Sequence, residues 1–255
     1  DDIQAVAKWA EKEYGIKCVA FNCEGYKGVS QSAGHHIANN QLLRYVVGEG
    51  DREIKNKFSI NLLGEYNIGG DGWETERLLK SIGYEVVATF TGGSKMEDIK
   101  NAHKANLSLV QCHRSINYIA EMIETKYGIP WMKINFIGVE ATIKSLRDIA
   151  RYFGDPELIA RTEAVIAEEL TQISDDMEYY RGKLKGKTAA IYVGGSRSHH
   201  YQALLKELGV RTILAGYEFA HREDYEGREV LPFIKMDADN KNIESITVEP
   251  DLEKY

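Results

Sequence analysis

The sequence predicts an α/β fold of several Rossmann-like parallel-sheet domains with helices on both faces of each sheet. Short apolar runs, among them Ser59–Leu63, Leu107–Val110 and Lys187–Val193, alternate with segments of helical period. The runs are near-continuously apolar, as strands buried on both faces are. Glycine-rich or polar turns follow them at Gly64–Gly70, Gln111–His113 and Gly194–His200, at the sheet edge where open parallel folds keep their ligands.

Composition narrows the function classes. The chain has 255 residues, 43% apolar and 28% charged, enough to bury a real core in one large domain or two to three small ones. A net charge of -7 argues against a nucleic-acid partner, which requires a basic face. Cys18, Cys23 and Cys112 are too few and too odd in number for a disulfide framework, which suits a reducing cytoplasm. No apolar run approaches the roughly 18 residues of a membrane span, so no membrane partner is expected. The opening at Asp1-Asp2 and the polar tail Glu249–Tyr255 read as an excerpt from a longer polypeptide.

Taken in order, Asp2–Tyr14 has helical spacing with Ile3, Val6, Ala7 and Ala10 on one face, and Lys17–Phe21 reads as the following strand. A loop through Cys23 leads to a helix over Ile37–Val47, with His35 and His36 at its first turn. Ser59–Leu63 is a strand, and Asp71 is a plausible N-cap for a helix over Gly72–Ile82. Tyr84–Phe90 is a strand, Ser94–Ala102 a short helix, Leu107–Val110 a strand and Arg114–Lys126 a helix. Trp131–Phe136 reads as another strand. Helices over Glu140–Tyr152 and Pro156–Leu184 are broken at Gly154-Asp155-Pro156, where proline suits a first helical turn. Lys187–Val193 is a strand, Gly194–His200 a loop leading to a helix that ends at Leu208, and Val210–Ala215 a strand. Cys23, Tyr66, Cys112, Arg197 and His221 therefore all follow strands, and would share a cleft if their sheets face one another.

Cys112 sits just past the carboxyl end of the Leu107–Val110 strand, and Gln31, His35 and His36 form the most pointed group. A thiolate just past a strand's carboxyl end serves as nucleophile, redox partner or metal ligand, whereas a lone cysteine is more often a small buried hydrophobe. Gln31, His35 and His36 at a helix start would favour an anion or an electron-rich ligand, the plain alternative being a cap and a packed ring. Gly194-Gly195 permits close backbone approach and Arg197 offers a fork of donors, although a glycine pair is also an ordinary turn. No dinucleotide fingerprint, P-loop or structural zinc spacing occurs. Tyr118 and Met122 fit core positions, and Glu168–Lys187 a solvated helix face.

Together these residues are recognisable as a set. CEGYKGVSQSAGHHIAN at 23–39, GEYNIGGDGWE at 64–74, LVQCHRSINYIAEMIETKYGIPWM at 109–132, GGSRSHH at 194–200 and GYEFAHREDY at 216–225 resemble, in order, the α-subunit family of the nitrogenase molybdenum-iron protein. The segment after Tyr225 resembles the start of an insertion found in the clostridial and archaeal branch.

The resemblance implies an oxidoreductase that reduces N2 to ammonia, with H2 evolved, at an iron-molybdenum cofactor carrying homocitrate. It implies a β subunit in an α2β2 heterotetramer, a P-cluster whose ligands from this subunit lie upstream of Asp1, and a separate ATP-hydrolysing iron protein as electron donor. Cys112 matches the thiolate that binds the cofactor's terminal iron, and is the metal ligand. His35 matches the histidine that hydrogen-bonds a belt sulfide and helps deliver protons, and Gln31 the glutamine near homocitrate. Arg197, with Gly194 and Gly195, matches the group that steadies the anionic cluster. Tyr66, Ile68, Arg114, Ser115 and Phe219 match pocket residues. His199 stands where the family has a second arginine. The implied organisation is part of a first α/β domain at 1–56, a second at 57–186 and the opening of a third at 187–255, with the cofactor cleft between domains. A paralogous cofactor-assembly scaffold, which binds without turnover, is the alternative, and a cluster-free α/β binding domain is a third.

Overall fold

The computed structural model describes residues 2–22 and 31–218; the sequence readings on Cys23, Phe219 and His221 lie outside the described residues. The chain divides into two compact units after Ile134. This differs in kind from the sequence-based division at 56/57 and 186/187, which follows the implied domains of a longer chain.

The first unit comprises α1 (Ile3–Tyr14), α2 (Gln31–Tyr45), β1 (Ser59–Glu65), α3 (Asp71–Ile82), β2 (Glu85–Thr91), α4 (Met96–Asn101), β3 (Leu107–Val110), α5 (His113–Tyr127) and β4 (Trp131–Lys133), with a 3-10 turn at Ala102–Lys104. Its strands are all parallel in the order β2-β1-β3-β4. Parallel strands need covered faces, and all seven residues of the central β1 are buried. One face carries Leu63, Phe90 and Val110 beneath Ile116, Ile119 and Ile123 of α5, with Leu42 and Leu43 of α2 and Val46 just after it packed on the same cluster. On the opposite face Ile60 and Leu62 lie in register with Leu107 and Leu109. There α3 covers the sheet: Thr89, the partner of Leu62, donates through Oγ1 to Glu76 at 3.0 Å. Asn61, fully buried, donates to the Ala102 carbonyl at 2.8 Å and so anchors the turn after α4.

The second unit holds α6 (Val139–Phe153), α7 (Pro156–Leu184), β5 (Thr188–Gly194), α8 (Gly195–Glu207) and β6 (Arg211–Glu218), the two strands again parallel. The Glu207 carboxylate accepts from the backbone N–H groups of Val139 and Glu140 at 2.8 and 3.2 Å, placing an acceptor and a negative charge at the start of α6.

Several local expectations are corrected. Lys17–Phe21 is not a strand: its backbone groups are engaged by side chains, Gln41 donating to the Ala20 carbonyl and Glu11 accepting from the Cys18 N–H, both at 2.9 Å. α2 starts at Gln31, so His35 and His36 lie in its second turn rather than at its N-terminus. Gly34 does not break it, because the packing of Leu42, Leu43 and Val46 outweighs the roughly 1 kcal/mol that a helical glycine costs. Asp71 is the first residue of α3 rather than its cap; Gly70, at φ 89, occupies the cap. β4 ends at Lys133 because Asn135 turns away, its N–H and C=O both bonded to the Ser145 hydroxyl at 2.9 and 3.0 Å. The segment expected as a loop after β5 is helical from Gly195 onward.

The start of α7 behaves as its sequence requires. Asp155 accepts from the N–H groups of Glu157 and Leu158, each at 3.0 Å, and Pro156 sits where no N–H is needed. Asp155→Ala is expected to destabilise the fold by about 1 kcal/mol and Asp155→Asn by much less, read as shifts of the chemical-denaturation midpoint of the full chain.

Candidate functional site

The last residues of β1 organise the site in the first unit. Between Leu63, paired with Phe90, and Glu65, paired with Thr91, the register slips by one residue, and Gly64 is the extra one, at φ 78. This is a bulge with glycine in the left-handed region. A Cβ on Gly64 would lie 2.9 Å from the Cys112 backbone nitrogen, 3.0 Å from its Cβ and 3.0 Å from Ile116 Cγ2. The missing side chain therefore lets the first turn of α5 settle directly on β1. The Gln111 N–H donates to the Leu63 carbonyl at 2.8 Å and ties the same junction from the other side.

Cys112 is the N-cap residue of α5, at φ -111 and ψ 80, half-buried and outside any disulfide. Its sulfur thus stands beside the free N–H groups and positive dipole end of a fifteen-residue helix. A cysteine sulfur at such a position is a ligand or nucleophile in its thiolate form.

Beyond the bulge, the Tyr66 ring stacks on His35, centroids 4.9 Å apart and planes at 25°. His36, the next residue, tilts against Tyr118 at 5.3 Å. Burial, with a smaller contribution from the neighbouring His36, lowers the proton affinity of His35 below the ordinary histidine value. Ile68 is 84% exposed, a large apolar side chain left uncovered within this unit.

The sequence-selected residues thus fall into two groups. Cys112, Tyr66, Ile68 and His35 belong to the first unit and are gathered at the carboxyl ends of β1 and β3. Gln31 is the first residue of α2, and Arg114 and Ser115 stand in the first turn of α5. In the second unit Gly194 ends β5, Gly195 begins α8, and Arg197 is half-buried two residues further on. There the His199 and His200 rings lie 3.8 Å apart. Asn135 Oδ1 accepts from the Ile137 N–H at 2.9 Å, so its Nδ2 is the group that meets His200 Nδ1 at 2.7 Å. His200 Nδ1 is consequently an acceptor. Sequence reasoning missed Gly64, although an isolated glycine closing an apolar strand is itself a sign of a bulge or a close approach.

Among the described residues no three histidine, cysteine or acidic side chains converge as ligands for a metal ion. Cys112 supplies one soft sulfur donor, of the type that ligates iron in iron-sulfur clusters.

Two outcomes follow from this geometry. Gly64→Ala forces a side chain into positive φ and against Cys112, and is expected to cost about 1 kcal/mol or more, seen in chemical denaturation of the full chain. Since His35 holds its proton less tightly when folded, its neutral form contributes stability above pH 6.5 that is lost as pH falls through and below that value. His35→Gln is expected to flatten that part of the stability profile between pH 5 and 7, measured by denaturation midpoints.

The family of nitrogenase component 1 type oxidoreductases matches residues 1–253. The nitrogenase molybdenum-iron protein alpha chain of Clostridium pasteurianum is 64% identical over 100% of this chain and 48% of its own length. That of Methanosarcina barkeri is 54% identical over 98% of this chain and 47% of its own. The nitrogenase iron-molybdenum cofactor biosynthesis protein NifE of Methanococcus maripaludis is 38% identical over 89% of this chain. Among solved structures, nitrogenase Cp1 at pH 6.5 superposes with a TM-score of 0.84, covering 100% of this chain and 49% of its own. The chain spans about half the length of the curated relatives it matches.

Proposed function

Because the chain belongs to the family of nitrogenase component 1 type oxidoreductases, we propose that it is the middle part of a nitrogenase molybdenum-iron protein α chain, whose whole protein reduces N2 to ammonia with evolution of H2. The observation that carries this reading is Cys112 at the N-terminus of α5, directly after a buried parallel strand, in a chain 64% identical to such an α chain. The assembly-scaffold alternative is less favoured, its relative being 38% identical. The proposal includes the β subunit in an α2β2 assembly, the ATP-hydrolysing iron protein, the P-cluster in the whole complex, and the domain division at 1–56, 57–186 and 187–255. No described helix is long and apolar enough to cross a membrane, and a cytoplasmic setting is proposed with the family reading.

The iron-molybdenum cofactor, when bound, supplies the multi-electron redox chemistry. Cys112 would hold it through its sulfur. Gly64 keeps that sulfur at a fixed height above β1, since the backbone of Cys112 rests where any side chain would intrude. His35 serves as a proton donor and acceptor: a half-buried imidazole with lowered proton affinity is neutral at rest and gives a proton up readily once it has taken one. Tyr66 holds the His35 ring from one face. Gln31, Ile68, Arg114, Ser115 and Phe219 are proposed as further pocket residues, and Arg197 with the Gly194-Gly195 backbone as the counterweight to a cluster's negative charge.

Metal analysis of the full-length chain, co-expressed with its β subunit and the assembly machinery, tests the reading. Native protein is expected to contain molybdenum and iron, and Cys112→Ala to lose molybdenum. Equal metal content in both would leave Cys112 a purely structural residue and overturn the assignment.

A further inference from the structure

Glu65 is 4% exposed, a carboxylate buried at the end of the central strand. Burying such a group is costly unless it is hydrogen-bonded, and Glu65 Oε1 accepts from the backbone N–H of Asn67, two residues on, at 2.8 Å. The peptide between Tyr66 and Asn67 is thereby held on one side by a side chain of the strand that precedes it. On another side lies Gly92. Its N–H donates to the Glu65 carbonyl at 2.9 Å, and a Cβ there would fall 2.2 Å from the Tyr66 carbonyl carbon and 2.5 Å from the Asn67 nitrogen. Gly72 closes a third side: a Cβ on it would sit 3.0 Å from Asn67 Cβ and 3.1 Å from Glu65 Cγ. Asn67 itself has φ 52, in the left-handed region that asparagine tolerates better than most residues.

A buried acceptor and a glycine with no room for a side chain converge on one peptide bond, and Gly72 packs tightly against the side chains that flank it. What that bond determines is the direction in which the Tyr66 ring leaves the strand, and the ring's stacking partner is His35. We propose that Glu65 is a positioning residue for proton delivery. Through the Tyr66–Asn67 peptide it aims the Tyr66 ring that restrains His35, and it does so as a hydrogen-bond acceptor. This rests on the reading of the chain as a catalytic nitrogenase α chain. Gly64 and Glu65 then divide the end of β1 between them, one serving the cysteine and the other the histidine.

The test uses the full-length chain assembled with its β partner. Glu65→Leu removes the acceptor at similar bulk, and Glu65→Gln keeps an acceptor oxygen. Molybdenum content is expected to be native in both, because Gly64 and Cys112 are untouched. Ammonia formed per H2 evolved is expected to fall roughly tenfold in Glu65→Leu, the scale of one lost buried hydrogen bond, and to recover to within about twofold in Glu65→Gln. In complex purified without cofactor, carbethoxylation of His35 by diethyl pyrocarbonate, read by mass spectrometry, is expected to be severalfold faster in Glu65→Leu and native in Glu65→Gln. A Glu65→Leu complex with native product ratio and native His35 reactivity overturns the proposal. So does Glu65→Gln as impaired as Glu65→Leu, or a loss of molybdenum that accounts for the loss of ammonia. Should Glu65→Leu fail to assemble, Glu65→Asp, which draws the carboxylate back by one methylene, decides: a severalfold fall in the product ratio supports the role and a native ratio overturns it. Native complex that lacks molybdenum or forms no ammonia overturns the assignment of the chain instead, and is seen in the control.

Discussion

The close approach of α5 to β1 at Gly64 is the contact on which the site depends. A parallel strand and the helix after its neighbour normally meet through side chains, at a distance those side chains set. Here backbone meets backbone, because the bulge turns Gly64 toward α5 and offers it no Cβ. The height of the cysteine above the sheet is therefore set by van der Waals contact of backbone on backbone rather than by side chains, which are the more compliant of the two. An anchor required to hold a large group at one point gains from that stiffness.

The same slip in register has a second effect. In a regular strand Gly64 and Glu65 would alternate strictly between the faces, and the residues after them would leave the sheet along its own direction. The extra residue bends the exit, so that Glu65 stays buried while Tyr66 reaches α2. One irregularity thus serves both chemical groups of the first unit, which are 77 residues apart in the chain at His35 and Cys112. α2 is brought within reach of the sheet edge by Leu42, Leu43 and Val46 on the α5 cluster, so the core that stabilises the unit also delivers the imidazole.

The sequence made the parallel α/β architecture legible because its central strands are continuous apolar runs closed by glycine or polar turns. β1, β2, β3 and β5 all carry that mark, and the buried Ile60, Leu62, Leu107 and Leu109 follow from it. Cys112 was legible for the same reason, since strand end and helix start bracket it. Lys17–Phe21 misled because a short run with four apolar residues, Cys18–Phe21, carries no record of whether a neighbouring strand will pair with it; Gln41 and Glu11 engage its backbone through side chains instead. The start of α2 was obscured by Gly34, whose punctuating value is overridden by distant packing. Glu65 left no signal at all: a glutamate ending a strand is ordinarily solvated, and only the folded sheet shows that it is enclosed.

In the second unit, the Asn135 amide has both of its ends assigned, one to a backbone N–H and the other to His200. With Nδ1 occupied as an acceptor, the His200 ring becomes a one-way element, able to present only an N–H from Nε2. Whatever that nitrogen meets must bring a lone pair, so the polarity of this corner is set by Asn135, and an aspartate there would reverse it by demanding a proton where the amide supplies one.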